Sequence, residues 1–408
     1  MKLVMTLLVR DEADIVAAVV EHHLAQGVDL IIATDNGSLD GTRDILARYQ
    51  SSGRLELHDY VVHDKKQGAL VSAMASRAYS VHHADWVINV DADEFFLPID
   101  RTITLRQALE RTPKEVGSFT VPVINMTGHA ARFGSGLDRL IWRDHRPADT
   151  LFRTAGLHAH PTDNAVHVGF ADVSVSQGNH FVNMPSAGRP APQNDIEVLH
   201  FPWRSWRQFG TKVENAGRSY ASNPKLRPSP RHHGMRDYRL LLAGRLEESY
   251  LFRHPSPGTL GTAEPSPVGL TRDDWLISNL KAIDASNGAV APPELRAVLS
   301  DPAPDPYGQF EWDRAARAMA SILALEAERS AALTRAYEDR DKMYRQKENA
   351  TKRLARSKAQ VEALEGQVQG LKRKLAAITN SRSYRLSRRL SSPVAHFRRL
   401  WSADNENR

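Results

Sequence analysis

The sequence predicts an α/β protein, a mostly parallel sheet flanked by helices, with a helical, coiled-coil extension at its C-terminal end. Three observations predict it. Over roughly the first ninety residues, short β-branched apolar runs alternate with helix-like stretches, which is the pattern of βαβ units. One of those runs, Trp86-Val87-Ile88-Asn89-Val90, empties directly into Asp91-Ala92-Asp93-Glu94. Far downstream, Leu354, Val361, Leu364, Val368, Leu371, Leu375 and Ile378 recur at heptad spacing, the seam of a coiled coil.

Taken in order, Leu3 to Val9 reads as a strand and Glu12 to Gln26 as a helix, with Ile15, Val16, Val19 and Val20 on one side and Gly27 at its C-terminal stop. Val28 to Ala33 is the second strand, Thr42 to Tyr49 the second helix and Leu55 to Val62 the third strand. Gln67 to Tyr79 is the third helix, and Trp86 to Val90 the fourth strand. A helix is expected over Thr104 to Arg111, and a strand carrying Pro122 over Val116 to Ile124. A loop-rich stretch follows from Asn125 to Asp195, holding His145, His158, His160, His167 and His180. Ile196 to Phe201 is a short strand, and a helix opens at Trp203 and runs to about Tyr220. Further helices are expected over Arg236 to Phe252 and Arg272 to Ala285, and a long one from Glu311. Ser357 interrupts the heptad seam, and Gly366 and Gly370 weaken that helix. The expected organisation is a main α/β domain over 1–254, a Pro/Gly-rich linker with a short helix over 255–310, a long helix over 311–380 and a basic tail over 381–408.

With 408 residues, 41% hydrophobic and 25% charged, the chain can bury a sizeable core. It has no cysteine, which excludes a disulfide framework, thiolate metal sites and a cysteine nucleophile. The net charge of +6 is uneven: Lys352 to Arg399 holds 13 basic and 2 acidic residues, or +11, which leaves −5 for the rest. The basicity therefore belongs to the tail, and no nucleic-acid partner is expected of the α/β domain. The chain enters a strand at once and contains no apolar run near the ~18 residues of a membrane span. A cytoplasmic location is expected, peripheral to the inner face of a membrane if the tail engages one.

A buried strand that ends in carboxylates places hard oxygen ligands at the carboxyl edge of a sheet, where open α/β folds bind ligands. Asp91 and Asp93 suit Mg²⁺ or Mn²⁺, which are held by one or two carboxylates together with substrate phosphates. The alternative is an acidic turn that caps the next segment. Asp35-Asn36-Gly37-Ser38-Leu39-Asp40-Gly41-Thr42 is either a well-made turn or, through Asp35, a carboxylate facing the same crevice for a base or ribose. His200 ends a strand just before an Arg-bearing helix start, so it is a metal or phosphate contact or a structural histidine.

Together these segments resemble family 2-like glycosyltransferases of the GT-A fold, in particular the bacterial branch with an Asp-Ala-Asp-Glu-Phe motif. The resemblance is carried by Leu8-Val9-Arg10-Asp11-Glu12-Ala13-Asp14-Ile15, by Asp35 to Thr42, by Asp85 to Phe95, and by His200-Phe201-Pro202-Trp203-Arg204-Ser205. It covers roughly residues 1 to 220, and it departs from the family at Asp11, where Asn is common. It implies a nucleotide-sugar donor, a divalent metal (Mn²⁺ or Mg²⁺) on the diphosphate, and transfer to an acceptor hydroxyl of a glycan or lipid-linked acceptor in envelope or extracellular glycan synthesis. Carried over by position, Thr6, Glu12, Asp35 and Asp91 would contact the donor, and Asp91, Asp93 and His200 would hold the metal. Asp163, Asp195 and Glu197 are the carboxylates from which a base would come, with Asp195 chosen for its nearness to His200. The heptads imply a homodimer through the coiled coil. The tail, with Phe397 and Trp401 among its basic residues, implies either an anionic membrane surface, a solvated helix end or a dock on the acidic domain. Competing readings are another metal-dependent enzyme, such as a nucleotidyltransferase or glycoside hydrolase, and a non-catalytic coiled-coil scaffold with a degenerate nucleotide-sugar domain.

Overall fold

The computed structural model describes residues 1–62, 67–157, 159–221, 233–260, 269–287, 293–300, 305–383 and 385–387. The chain divides into a unit of residues 1–330 and a unit of residues 331–408. In the first, β1 (Leu3–Val9), α1 (Val16–Ala25), β2 (Leu30–Asp35), α2 (Thr42–Gln50), β3 (Leu55–Asp59), α3 (Gln67–Ser80) and β4 (Trp86–Asp91) alternate as expected. Their strands are parallel, with β1 between β2 and β4. Two antiparallel strands, β9 (Asn164–Val168) and β6 (Ser118–Val121), extend the sheet beyond β4 to give the order β3-β2-β1-β4-β9-β6.

A second sheet was not legible in the alternation. It has the order β11-β8-β7-β10-β5, from β11 (Leu270–Arg272), β8 (Trp142–Asp144), β7 (Val123–Thr127), β10 (Ile196–His200) and β5 (Glu94–Pro98). The strand expected over Val116 to Ile124 is in fact two, and Pro122 marks the switch between sheets. Proline donates no backbone hydrogen bond to a ladder, and here its carbonyl accepts from the Val198 N–H at 2.9 Å. Similarly, Asp91 ends β4 in the first sheet and Glu94 begins β5 in the second. Both sheets are thus fed by strands that meet at the acidic triplet.

The main core lies on the α1 face, where Ile15, Val16, Val19, Ile31, Ile88, Phe95, Phe96 and Phe201 are buried together. Each fully buried side chain of this size contributes about 1.5–3 kcal/mol. A smaller cluster packs α3, through Val71, Met74 and Ala78, on the opposite face against Val4, Ile32 and Val87. A third, helical cluster joins α5 (Ala148–Ala155), α6 (Trp206–Ala221), α7 (His233–Leu242), α8 (Leu246–Arg253) and the opening turns of the last helix. The single helix expected over Arg236 to Phe252 breaks into α7 and α8 at Gly244, whose φ of 65° is left-handed.

The remaining helices are α4 (Leu105–Glu110), α9 (Pro257–Leu260), α10 (Trp275–Asn287), α11 (Pro293–Ser300) and α12 (Gln309–Asn380). The segment expected as a linker over 255–310 carries part of the main core. Leu276, Ile277 and Leu280 of α10 and Leu295 and Val298 of α11 are buried with the α1 residues, and β11 pairs with β8. Composition hid this, because the prolines and glycines of the segment outweigh the short apolar stretches of α10 and α11.

In the second unit, α12 continues through residues 331–380 as one helix. Its heptad residues are exposed, from Val368 at 48% to Leu371 at 65%. Among the described residues no helix is long and apolar enough to cross a membrane. His158, part of the expected linker (261–268, 288–292 and 301–304), and most of the basic tail, including Phe397 and Trp401, lie outside the described residues.

Candidate active site

The carboxyl edge of the first sheet gathers the sequence motifs by register. Val9 is opposite Asp35 and Leu8 is opposite Asp91, so the ends of β1, β2 and β4 open at one level. Antiparallel pairing of β10 with β5 sets His200 opposite Glu94, which brings the end of the second sheet to the same place. Asp93, in the turn between β4 and β5, stands at the seam.

Asp93 is 2% exposed and surrounded by cations. Lys212 Nζ lies 2.5 Å from its Oδ2, His200 Nε2 3.5 Å and Arg204 Nη1 3.8 Å. Burial works against charge on Asp93, but the Lys212 ammonium and His200 outweigh it and hold the carboxyl well below its ordinary range. Asp91 behaves oppositely. Burial and the negative charge of Asp93 raise its pKa, while Asn179 Nδ2 donates to its Oδ1 at 2.9 Å. Glu94 is raised well above its ordinary value by burial and by Asp91 and Asp93. It accepts from Asn164 Nδ2 at 2.8 Å and from the Asp91 N–H at 3.2 Å, bracing the turn from below. Three carboxyls within four residues are thus pushed in opposing directions, Asp93 down and Asp91 and Glu94 up, an arrangement concentrated at functional sites.

His200 is oriented by β7. Its Nδ1 lies 2.9 Å from Asn125 Oδ1; an amide oxygen only accepts, so Nδ1 donates to it and Nε2 is the atom turned toward Asp93. A carboxylate oxygen and an imidazole nitrogen facing each other at 3.5 Å fit a shared cation. A hard divalent ion bound to those two atoms would complete its shell with donor phosphates and water. Among the described residues no group of three or more His, Asp or Glu side chains is arranged to hold a metal by itself.

Asp35 is also placed at the edge. Its Oδ2 accepts from the Gly37 and Ser38 N–H groups at 3.1 and 3.0 Å, closing the turn. Its Oδ1 is buried and has no partner among the described residues. Gly37 and Gly41 take φ of 70° and 99°, which lets the loop double back before α2.

Other expected residues do different work. Thr6 is 1% exposed and donates to Asn89 Oδ1 at 2.7 Å inside the sheet, below the open edge. Glu12 is committed to Arg204, which also bonds Asp14 at 2.9 Å; burial raises the Glu12 pKa against the pull of Arg204 and Lys212. Arg204 is wholly buried in this network. Asp195 precedes β10 while His200 ends it, so the two stand at opposite ends of a strand, about 16 Å apart at ~3.3 Å per residue. Nearness in sequence misled because an extended strand separates its ends. Glu197 is locked by Arg143 at 2.8 Å and by Arg101 at 2.5 Å. Asp163 precedes Asn164, and its backbone carbonyl lies 3.2 Å from His180 Nδ1 beside the Asp91 partner Asn179; of the three residues it is the one whose backbone lies at this edge. Of the other loop histidines, His145 lies 3.3 Å from Arg143, His160 bonds the Arg146 carbonyl and His167 is buried in β9.

Sequence reasoning missed Lys212, Asn215, Asn125 and Asn179. For Lys212 and Asn215 a signal existed. With Gln208 they recur at steps of four and three in α6, so they share one helix face. Asn215 Nδ2 donates to Asp11 Oδ2 at 2.7 Å. A neighbouring face, with Phe209 and Val213, is core.

Residues 4–123 match the model of glycosyltransferase family 92. A comparison with curated proteins finds no match. Among solved structures, residues 1–349 of Staphylococcus aureus TarS align at 13% identity over 73% of this chain and 83% of that one, with a TM-score of 0.30. The same protein in complex with UDP-GlcNAc aligns at 13% identity over 73% and 84%, with a TM-score of 0.31. HddC from Yersinia pseudotuberculosis aligns at 13% identity over 49% and 77%, with a TM-score of 0.23.

Proposed function

We propose that this chain is a metal-dependent glycosyltransferase that moves a sugar from a nucleoside-diphosphate donor to a hydroxyl of a glycan or lipid-linked acceptor. The observation that carries the reading is the meeting of Asp35, Asp91, Asp93 and His200 at one sheet edge, within residues mostly spanned by the glycosyltransferase family match. The buried Asp35 Oδ1, without a partner among the described residues, suits an N–H of the donor's base. Asp91 suits the ribose, and Asp93 with His200 would hold a divalent ion against the diphosphate. That ion would supply Lewis-acid stabilisation of the charge that develops on the leaving group. As the acceptor oxygen bonds to the anomeric carbon, the bond to the nucleoside diphosphate breaks and the acceptor proton passes to a carboxylate. Asp163, next to Asn164 where β9 begins, is the candidate carboxylate for that proton, and such a base contributes about 10²–10⁴-fold. The family 2-like motif set, a role in envelope or extracellular glycan synthesis, a homodimer through residues 354–378 and a membrane contact by the basic tail belong to the same proposal.

The test is turnover of a panel of nucleotide sugars by the full chain, with Mn²⁺ or Mg²⁺ and with chelator. Metal-dependent release of a nucleoside diphosphate is expected. Asp93→Asn should lower kcat by about 10³-fold, roughly 4 kcal/mol, with the fold intact by circular dichroism. Turnover that survives chelation, or an unimpaired Asp93→Asn, would remove the metal from the reading.

A further inference from the structure

The cations around Asp93 differ in how free they are to leave. Arg204 is wholly buried and bonded to Glu12, Asp14 and the Phe201 carbonyl, so it is a fixture. Lys212 reaches the same oxygen from α6 with a side chain that is 42% exposed, and Asp93 is the partner of its Nζ. A lysine is a compact charge on a flexible stem, and it can swing from Asp93 without breaking any other contact described for it. Its ammonium, 2.5 Å from Oδ2, takes the place on that oxygen where a divalent ion would sit at about 2.1 Å. The two compete for it, because two cations drawn to one carboxylate repel each other. One turn before Lys212, the amide oxygen and nitrogen of Gln208 are both buried without a partner. The same face of α6 therefore offers polar groups that nothing among the described residues satisfies.

We infer that Lys212 is a displaceable counter-ion. It closes the Asp93–His200 position in the free protein and moves onto the diphosphate when a nucleoside diphosphate arrives. Metal and nucleotide then bind cooperatively, each raising the affinity for the other by the same factor. The inference rests on the proposed donor site and adds to it a residue and an order of events. Lys212 would act first as a lock on the metal position and then as a contact to the leaving group, which carries the negative charge that draws it away.

The experiment is a Mn²⁺ titration followed by electron paramagnetic resonance, on the full chain, with and without UDP, GDP, ADP or CDP. Wild type should bind Mn²⁺ weakly alone and at least tenfold more tightly with the nucleoside diphosphate it accepts. Lys212→Met should bind Mn²⁺ about tenfold more tightly than wild type without nucleotide, and should bind nucleotide without metal about tenfold more weakly. Lys212→Arg, which keeps the charge, should stay close to wild type in its affinity for Mn²⁺ alone. Equal Mn²⁺ affinity of wild type and Lys212→Met in the absence of nucleotide would overturn the inference. If wild type binds none of the four nucleotides, the proposed donor site fails instead, and the nucleotide-free comparison still reads the competition at Asp93. Circular dichroism of each variant separates these outcomes from loss of fold.

Discussion

At the carboxyl edge of the first sheet, buried charge is matched almost group for group; along residues 331–380 of α12, apolar side chains stand in solvent. Arg204 faces Glu12, Asp14 and Asp93, and Asp91 and Glu94 are held by Asn179 and Asn164. By contrast Leu354, Val361, Leu364, Leu371, Leu375 and Ile378 are each more than half exposed. The first region carries its own counter-charges, so its geometry is set within one body. The second has helical order but leaves a heptad stripe uncovered, and the hydrophobic gain of such a stripe is realised only against another apolar surface.

That contrast can be broken most severely at Arg204. Arg204→Met removes the cation from a buried cluster and leaves Glu12 and Asp14 facing each other, which should cost about 3–5 kcal/mol. Urea unfolding should show the loss in the body, and an unchanged midpoint would mean that the cluster is more open than its burial indicates.

Acid probes the same body by another route. Burial lowers the pKa of His22 and His167 to about 4 and of His254 to about 3, and takes His23 well below its ordinary value. These rings are neutral in the folded state, whereas the unfolded chain takes up protons below about pH 6.5. Their stabilising effect is therefore complete above pH 6.5 and declines as pH falls toward 4, by roughly 1–2 kcal/mol per histidine at pH 5. Asp91 and Glu94, with raised values, pull the other way. Replacing His22 by Gln, which can still donate to the Phe96 carbonyl, should flatten the fall in melting temperature between pH 6.5 and 5. An equally steep fall in the variant would assign the acid sensitivity elsewhere. The exposed stripe of α12 contains no histidine and should not share this dependence.

On the α12 side, Leu364→Lys with Leu371→Lys should abolish concentration-dependent self-association in sedimentation velocity while changing nucleotide-sugar turnover less than twofold. Loss of turnover in parallel with association would show that the two regions work as one. The smallest effect is expected at Asp195. Asp195→Ala should leave kcat within twofold of wild type, since the residue stands at the far end of β10. A hundredfold fall would restore it as the base.

Much of the first sheet was legible because parallel strands buried on both faces read as unbroken apolar runs. Leu3–Val9 is found as expected, and β4 is extended by the single residue Asp91. The second sheet was not legible. Its strands are three to five residues long, and β5 is simply the apolar tail of the acidic motif. At the site, Asp35, Asp91, Asp93 and His200 were legible as polar residues at strand ends. Thr6 and Glu12 lay in the right segments, but their side chains are spent inside the fold. Lys212 was hidden because its meaning depends on a contact with Asp93 across 119 residues of sequence, and only the shared face with Gln208 and Asn215 hinted at it.

The antiparallel ladder that sets His200 opposite Glu94 makes the alignment of this site discrete. Side chains alternate along a strand, so β10 can slip against β5 only by two residues if it is to keep Val198 inside and the same face toward the core. One such slip is about 7 Å, against a His200–Asp93 separation of 3.5 Å. The relation between the imidazole and the carboxylate is thus not adjustable by small drifts of one sheet over the other. It is held as a mechanical index is held, by a notch, and the next notch along gives no site at all.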